Sequence, residues 1–140
     1  HYSILVWKIE EGESYFMSKI EFTEFDTQEL QSISHPQKRL EWLASRYLIK
    51  KLLGKNEVVY LDKKANGKPI ITNFNEHVSI THTNGHAASI HSKKHPVSID
   101  LEQIDERVMR IERKFMSEEE MKFIPIEEKL DYLILCWSAK

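Results

Sequence analysis

Cysteine is nearly absent from this chain, which carries a single one, Cys136, among 140 residues. One thiol cannot form a disulfide within the chain, and a protein without disulfides is typical of a reducing compartment. Cys136 lies in an apolar helical pattern, where a cysteine is more often a small core side chain than a nucleophile. We therefore expect the chemistry of this protein to be carried by other residues.

Long apolar runs are missing as well. A helix that spans a bilayer needs about 20 consecutive apolar residues, and no segment of this sequence approaches that length. The sequence also shows no signal-peptide pattern. We therefore expect a cytoplasmic protein that has no membrane partner.

A surplus of positive charge is absent too, because 20 lysine and arginine residues face 22 aspartate and glutamate residues. Without a basic field, binding driven by the phosphates of a nucleic acid is not expected. The four glycines are scattered, so the chain has no glycine-rich phosphate loop, and no nucleophile elbow indicates a hydrolase. Any site for an anion must be built locally.

The hydrophobic pattern predicts a single-domain-sized chain of the α+β class, with antiparallel hairpins packed against helices. Strands are predicted over residues 2–9, 57–61, 69–71, 77–81, 86–91 and 96–102. Helices are predicted over residues 13–20, 26–33, 36–53, 105–114, 117–124 and 127–140. The pairs Asn66-Gly67 and Asn84-Gly85 predict turns, since these residue types accept a positive φ at little cost.

Capping signals refine the helix predictions. Asp26 or Thr27 is expected to cap the second helix, and Pro36 and Gly54 suit the two ends of the third. Ser117 with a glutamate three residues later matches a capping box, which gives Glu120 a sufficient structural role.

The third predicted helix combines an apolar stripe with a basic remainder. Its apolar residues recur at helical spacing and predict one buried face: Leu40, Leu43, Tyr47 and Leu48. Its cations occupy the other faces: Lys38, Arg39, Arg46, Lys50 and Lys51. The ordinary interpretation is a solvated basic surface, and the functional interpretation is a surface that binds phosphate groups.

Two carboxylates two residues apart, Asp100 and Glu102, end the strand predicted over residues 96–102. Side chains alternate along a strand, so both carboxylates are expected on one face, with Cα atoms about 7 Å apart. A solvated sheet face explains such a pair without any ligand. Paired carboxylate oxygens also suit a divalent cation such as Mg²⁺.

Histidines are concentrated in the middle of the chain, where five of the seven lie between residues 77 and 95. A structural zinc is not expected, because alternation separates His77 from His82 and no closely spaced pair completes a ligand set. His82 lies directly before a turn and is retained as a polar site residue. With Lys68 and Thr81, it would suit a phosphorylated ligand, whose oxygens Mg²⁺ could bridge.

Five short segments follow one another along the chain: NGKP at 66–69, VSITHT at 78–83, VSIDLE at 97–102, FMS at 115–117 followed by Glu120, and WSAK at 137–140. Together they resemble the ordered motifs of the 4′-phosphopantetheinyl transferase superfamily, Sfp type. The segment RLEWLASR at 39–46 is also similar to a helix of that family. The resemblance extends from the third predicted helix to the last residue.

This resemblance implies an enzyme that moves the phosphopantetheine arm of coenzyme A onto a serine of an apo acyl or peptidyl carrier protein. Mg²⁺ is the implied cofactor and coenzyme A the implied co-substrate. The implied fold consists of two similar α+β halves. Residues 1–95 would form a complete N-terminal half, and residues 96–140 would begin the C-terminal half with the metal-site strand and helices, the remainder being absent.

The resemblance also implies residue roles. Lys68, Thr81 and His82 would hold the phosphates of coenzyme A, and Arg39 or Arg46 would meet its 3′-phosphate. Asp100 and Glu102 would ligate Mg²⁺ as catalytic metal ligands. Glu120 and Lys140 would complete the catalytic set, with Lys140 at the leaving phosphate.

The chain departs from the family at two places. Ser98 stands where the family has glycine, and the last motif stops at Lys140, before a family glutamate that supplies a third metal ligand. If residues 1–140 are the whole protein, we therefore expect an incomplete metal site and doubtful activity; if they are part of a longer protein, the longer protein could be a competent enzyme. The alternatives are a non-catalytic module that binds coenzyme A or a nucleotide, and a module that docks a carrier protein through Lys50 and Lys51.

Overall fold

A computed structural model describes residues 1–55, 57–65 and 67–140, which form two compact units, His1–Ile99 and Asp100–Lys140. In chain order the first unit contains β1 (Tyr2–Lys8), α1 (Glu13–Met17), α2 (Glu24–Ser32), α3 (Pro36–Leu53), β2 (Leu61–Lys63), β3 (Pro69–Ile71), β4 (His77–Thr83) and β5 (His86–Ser92). The second contains α4 (Arg107–Phe115), α5 (Glu118–Met121) and α6 (Lys129–Ala139). The α+β class expected from the sequence is confirmed.

An antiparallel sheet in the order β1-β5-β4 forms the base of the first unit. β4 and β5 are joined by a two-residue turn in which Asn84 has φ 35° and Gly85 has φ 79°. These positive angles are the ones that a tight hairpin turn requires, so the predicted turn is confirmed. β1 pairs along the other edge of β5, with Tyr2 opposite Ser92 and Lys8 opposite His86.

The helix α3 packs across this sheet and has the predicted bounds. Pro36 occupies its first turn, and Gly54 ends it in the left-handed conformation at φ 57°. Its buried face joins residues of the sheet and of the other helices in the main core: Phe16, Leu30, Trp42, Leu43, Ala44, Tyr47, Leu48 and Ala87. A second cluster lies toward the end of the helix: Ile49, Leu53, Leu61, Ile71 and Val78.

The hairpin of β2 and β3 begins later than predicted. The strand expected over residues 57–61 was wrong, because β2 covers only Leu61–Lys63. In the residues before β2, the side-chain amide of Asn73 makes hydrogen bonds that a neighbouring strand would otherwise make. Its Oδ1 accepts from the Tyr60 N–H, and its Nδ2 donates to the Val58 carbonyl. Gly67 in the hairpin loop has φ 81°, whereas its predicted turn partner Asn66 lies outside the described residues.

The helix α2 also starts earlier than predicted. Thr23 is its cap, so the expected cap at Asp26 or Thr27 was wrong. Thr23 Oγ1 accepts from the Asp26 N–H, and the Asp26 carboxylate accepts from the Thr23 N–H. Asp26 therefore closes a capping box from inside the helix, where it is also buried.

The segment 96–102, predicted as a buried strand, is not a strand. In the part that belongs to the first unit, side chains satisfy the backbone: Lys68 Nζ donates to the Val97 carbonyl, and the Ile99 N–H donates to Ser79 Oγ. A strand needs a neighbouring backbone for its ladder, and sequence alternation alone does not provide one. The prediction failed for that reason.

The Asp100–Lys140 unit is helical. Its core consists of Val108, Met116 and Leu133, with half-buried residues such as Phe115 and Cys136 packed against them. Ser117 and Glu120 make the predicted capping box at the start of α5. Among the described residues of either unit, none of the helices combines the length and apolar character needed to cross a bilayer.

Candidate functional site

His82 lies near the end of β4, where its ring meets a buried carboxylate of α3. Its Nδ1 is 3.1 Å from Glu41 Oε2, while the His82 side chain remains 44% exposed and that of Glu41 is buried. The other oxygen, Glu41 Oε1, accepts from the Gly85 N–H at 3.2 Å and from Gln37 Nε2 at 3.3 Å. One carboxylate thus ties the helix, the hairpin turn and the histidine ring together.

This contact determines which ring nitrogen of His82 carries a proton. An ionised carboxylate can only accept hydrogen bonds, so the nitrogen facing it must be the donor. Nδ1–H is therefore held toward Glu41, which leaves Nε2 as the remaining polar atom of a ring that solvent reaches. Glu41 was not predicted as a site residue from the sequence, where the one local signal is an acidic residue next to Trp42 and Leu43 on the buried side of the helix.

Lys68 borders the loop that joins β2 and β3, and its ammonium group bonds the Val97 carbonyl at 3.2 Å. It also lines a cavity of about 330 Å³, together with Lys64, Phe74, His77 and Pro96 among others. A cavity of this size is within the range of small-ligand pockets. Lys68 is therefore both anchored to the chain segment before Asp100 and adjacent to a space that a ligand could enter.

Thr81 is adjacent to His82 in β4 and half-buried, opposite Ala88 of β5. Because consecutive side chains of a strand point to opposite faces, Thr81 and His82 cannot present their side chains to one ligand group from the same face. The strand therefore separates two residues that the resemblance assigned to the same phosphates.

Arg46 is buried, contrary to the solvated basic face that was the ordinary interpretation of α3. Its Nε bonds Asp26 Oδ1 at 3.2 Å, its Nη2 bonds Glu29 Oε2 at 2.7 Å, and its guanidinium stacks over the Trp42 ring. A buried guanidinium needs such partners, because an unpaired charge in the interior is very costly. Arg46 thus has a complete structural role.

Arg39 is only partly exposed and is engaged as well. Its Nε and Nη2 make a two-pronged contact with the Glu13 carboxylate at 2.8 and 3.1 Å. Its Nη1 donates to the carbonyls of Leu30 and Ile33. The guanidinium lowers the pKa of Glu13 below its usual value, mainly through the hydrogen bond between them. Both candidate arginines are therefore committed to carboxylates of the first unit.

In the Asp100–Lys140 unit, residues that are far apart in the sequence are connected around Lys140. Its Nζ lies 2.7 Å from each carboxylate oxygen of Glu120 and donates to the Phe115 carbonyl at 2.8 Å. The Phe115 ring packs edge-on against Trp137, with ring centroids 5.3 Å apart. Trp137 Nε1 in turn donates to Glu102 Oε1 at 3.2 Å. Glu102, Glu120 and Lys140 are thus linked through two aromatic residues.

The Glu120 carboxylate is held in its ionised form. The hydrogen bond from Lys140 is the largest cause, and the backbone and hydroxyl of Ser117 add to it, so the pKa falls from the usual 4.5 to about 2. Hydrogen bonds and a positive charge that favour the ionised form lower a carboxyl pKa in this way. Glu120 therefore stays negatively charged across the physiological pH range.

Asp100 and Glu102 are both exposed, with the half-buried Leu101 between them. Because residues 96–102 are not a strand, the alternation expected to put both carboxylates on one face does not apply. Mg²⁺ usually takes one or two protein carboxylates and completes its shell with water and substrate phosphates, so these exposed side chains remain candidate ligands. Within residues 1–55, 57–65 and 67–140, no three histidine, cysteine, aspartate or glutamate side chains form a group that could hold a metal ion. The candidate ligand set in this unit is the pair Asp100 and Glu102.

Fold and contacts together define an α+β protein with polar clusters around His82 and around Lys140. A scan against protein-family models found no match to this chain, and a search of the curated proteins found none either. The comparison with known proteins therefore adds no residue to those named above.

Proposed function

We propose that this protein is a Mg²⁺-dependent 4′-phosphopantetheinyl transferase, with the fold of that superfamily. The reaction would join the hydroxyl oxygen of a carrier-protein serine to the phosphorus that bears pantetheine in coenzyme A. The bond from that phosphorus to the adenosine 3′,5′-bisphosphate portion would break, and the serine proton would leave to a base.

The observation that carries this proposal is the network around Lys140. Glu102, Phe115, Glu120, Trp137 and Lys140 come from three of the five motifs, and contacts join residues 20 to 35 positions apart. Their convergence supports the idea that the motifs belong to one site.

Asp100 and Glu102 would hold Mg²⁺, which when bound would neutralise charge on the pyrophosphate of coenzyme A. Lys140 would exchange part of its contact with Glu120 for the leaving phosphate, because an ammonium group stabilises the charge that develops there. Glu120 would keep Lys140 positioned until then.

His82 would contribute in the first unit by binding a phosphate of coenzyme A through Nε2. With Nδ1 directed at Glu41, the Nε2 edge of the ring is the part left to face the phosphate. Lys68 would supply a second cation at the cavity that it lines, whose wall includes the opposite end of β4 from His82. Arg39 and Arg46 would take part only by giving up their present carboxylate partners.

The test is a transfer assay with the full-length protein, coenzyme A, Mg²⁺ and a panel of apo acyl and peptidyl carrier proteins, read by intact-protein mass. We expect one carrier to gain a phosphopantetheine group. An Asp100→Ala, Glu102→Ala double variant should lower the rate by about a hundredfold or more, because metal binding contributes several kcal/mol.

The matched control is Glu127→Ala, Glu128→Ala, which removes two exposed carboxylates from the same unit and should leave the rate unchanged. If no carrier gains mass while calorimetry detects coenzyme A binding without Mg²⁺, the protein is a binding module and the transferase proposal is wrong. If charge reversal at Lys50 and Lys51 abolishes carrier binding in a protein that transfers nothing, a docking module is the better description.

A further inference from the structure

Lysines make up four of the six residues that line a groove at the end of α3. It has a volume of about 400 Å³ and is bordered by Lys19, Tyr47, Lys50, Lys51, Gly54 and Lys55. None of these lining residues is acidic. The chain as a whole has a formal net charge of −2. Four lysines around one concave surface therefore make this groove more positive than the average surface of the protein.

Two of these four ammonium groups lie over aromatic rings and not beside carboxylates. Lys19 Nζ lies 4.9 Å from the centroid of Tyr15, and Lys51 Nζ lies 5.5 Å from that of Tyr47. Cation–π contacts orient a lysine without neutralising its charge. Among the described residues, Lys55 alone of the four lysines forms an ion pair, with Glu76 at 3.5 Å.

The helix end explains only part of this cluster. Lysines in the last turn of a helix interact favourably with its partial negative charge, which accounts for Lys50 and Lys51. Lys19 follows α1 and has no such reason to face the same groove. Repulsion among the ammonium groups is relieved when an anion binds between them.

We propose that this groove binds a compact ligand with two or more phosphate charges, such as a diphosphate. Its volume is within the range of small-ligand pockets, and lysines bind phosphates as mobile point charges. The buried Tyr47 provides a firm floor, because its ring is packed edge-on against Trp7 and Tyr15. This inference does not depend on the transferase proposal and uses none of its residues.

The test uses inorganic pyrophosphate as the probe, titrated into the full-length protein at constant ionic strength while amide resonances are followed by NMR. We expect saturable shifts centred on the amides of Lys19, Lys51 and Gly54. A Lys50→Ala, Lys51→Ala double variant should weaken binding at least about tenfold, the effect of losing one strong charged contact.

The matched control is Lys93→Ala, Lys94→Ala, which removes two neighbouring exposed lysines of the same unit that do not line the groove. Its affinity should stay within about twofold of the parent, because long-range charge effects are screened by salt. If the helix variant fails to fold, Lys19→Ala on the loop after α1 replaces it, with the same expectation of weaker binding.

Two results would overturn the inference. Equal weakening in both double variants, or shifts that do not saturate and spread over all surface lysines, would mean an adventitious ion only. An acidic peptide of equal charge that binds more tightly than pyrophosphate would mean that the groove is a surface for a protein partner.

Discussion

Glu120 shows how a capping residue can also fix a neighbouring cation. Its backbone position at the start of α5 brings the carboxylate to the Ser117 N–H, and both oxygens then remain within reach of Lys140. The capping role was predicted from the sequence, whereas the contact with Lys140 depends on how α5 and α6 pack. One carboxylate thus serves local structure and the candidate site.

Replacing Lys140 with methionine should raise the pKa of Glu120 from about 2. The value should remain below 4.5, because the Ser117 donors persist. Since the pKa is lower in the folded protein, the stabilisation is complete above the unfolded value and is lost as the pH falls through the folded one. NMR titration of the carboxyl carbon measures the change. Lys129→Met, which breaks the contact with Glu112 in the same unit, is the control and should not move the Glu120 titration.

Arg46 and Arg39 offer a comparison between a buried and a partly exposed ion pair. The side chains of Arg46 and Asp26 are 8% and 5% exposed, and those of Arg39 and Glu13 are 25% and 33% exposed. Removal of one partner from a buried pair leaves an uncompensated charge, whereas water can solvate the remaining member of an exposed pair. The two arginines should therefore differ in their effect on folding.

Arg46→Ala should lower the free energy of unfolding by about 3 to 5 kcal/mol, because Asp26 and Glu29 lose their cation in the interior. Arg39→Ala should cost clearly less than Arg46→Ala, and mostly through the lost hydrogen bonds to the Leu30 and Ile33 carbonyls. Urea denaturation followed by circular dichroism measures both. Equal losses would contradict the assignment of Arg46 as a buried structural cation.

At the scale of elements, α3 is the part of the fold that local signals specify best. Its apolar stripe, Pro36 and Gly54 act over a few residues, and its bounds match the prediction. The β4–β5 turn was predictable for the same reason. In contrast, residues 57–60 and 96–102 were predicted as strand but are not part of one. Their state depends on distant partners such as Asn73 and Lys68, which periodicity cannot reveal.

Gly54→Ala should lower the free energy of unfolding by about 1 kcal/mol, because a side chain disfavours the left-handed conformation at this helix end. No atom lies within 4 Å of the added Cβ, so the effect isolates backbone strain from steric contact. Gly12→Ala is the matched control, since φ there is −82° and the added Cβ also meets nothing. Thermal unfolding compares the two variants. A loss for Gly12→Ala equal to that for Gly54→Ala would show that strain at residue 54 is not the cause.

At the scale of the whole molecule, the α+β class could be predicted from the sequence. The hydrogen bonds and ion pairs that the candidate site residues make could not. Glu41 was missed because its importance comes from His82 and Gly85, both more than 40 positions away in the chain. The two arginines were predicted as ligand contacts or solvated cations because their acidic partners lie in other helices. Tertiary contacts of this kind decide whether a charged residue faces a ligand or completes a core.

The two units should also differ in local stability. The first unit buries Phe16, Leu43, Leu48 and Ile49 completely, whereas the core of the second has Leu133 as its one fully buried residue. The second unit also exposes large apolar side chains, with Phe123 at 76% and Ile126 at 94%. Units near 40 residues bury a small share of their surface and are correspondingly marginal.

Amide hydrogen exchange should therefore be faster in α6 than in α3. The amides of Leu133 and Leu48 make a matched pair, because each belongs to a fully buried leucine inside a helix. Opening of the smaller core should need less free energy, so we expect the protection of Leu133 to be lower by about tenfold or more. Exchange of the native protein followed by NMR measures both amides in one sample. Equal protection would mean that the Asp100–Lys140 unit unfolds only together with the rest of the chain, and that its small core does not limit its stability.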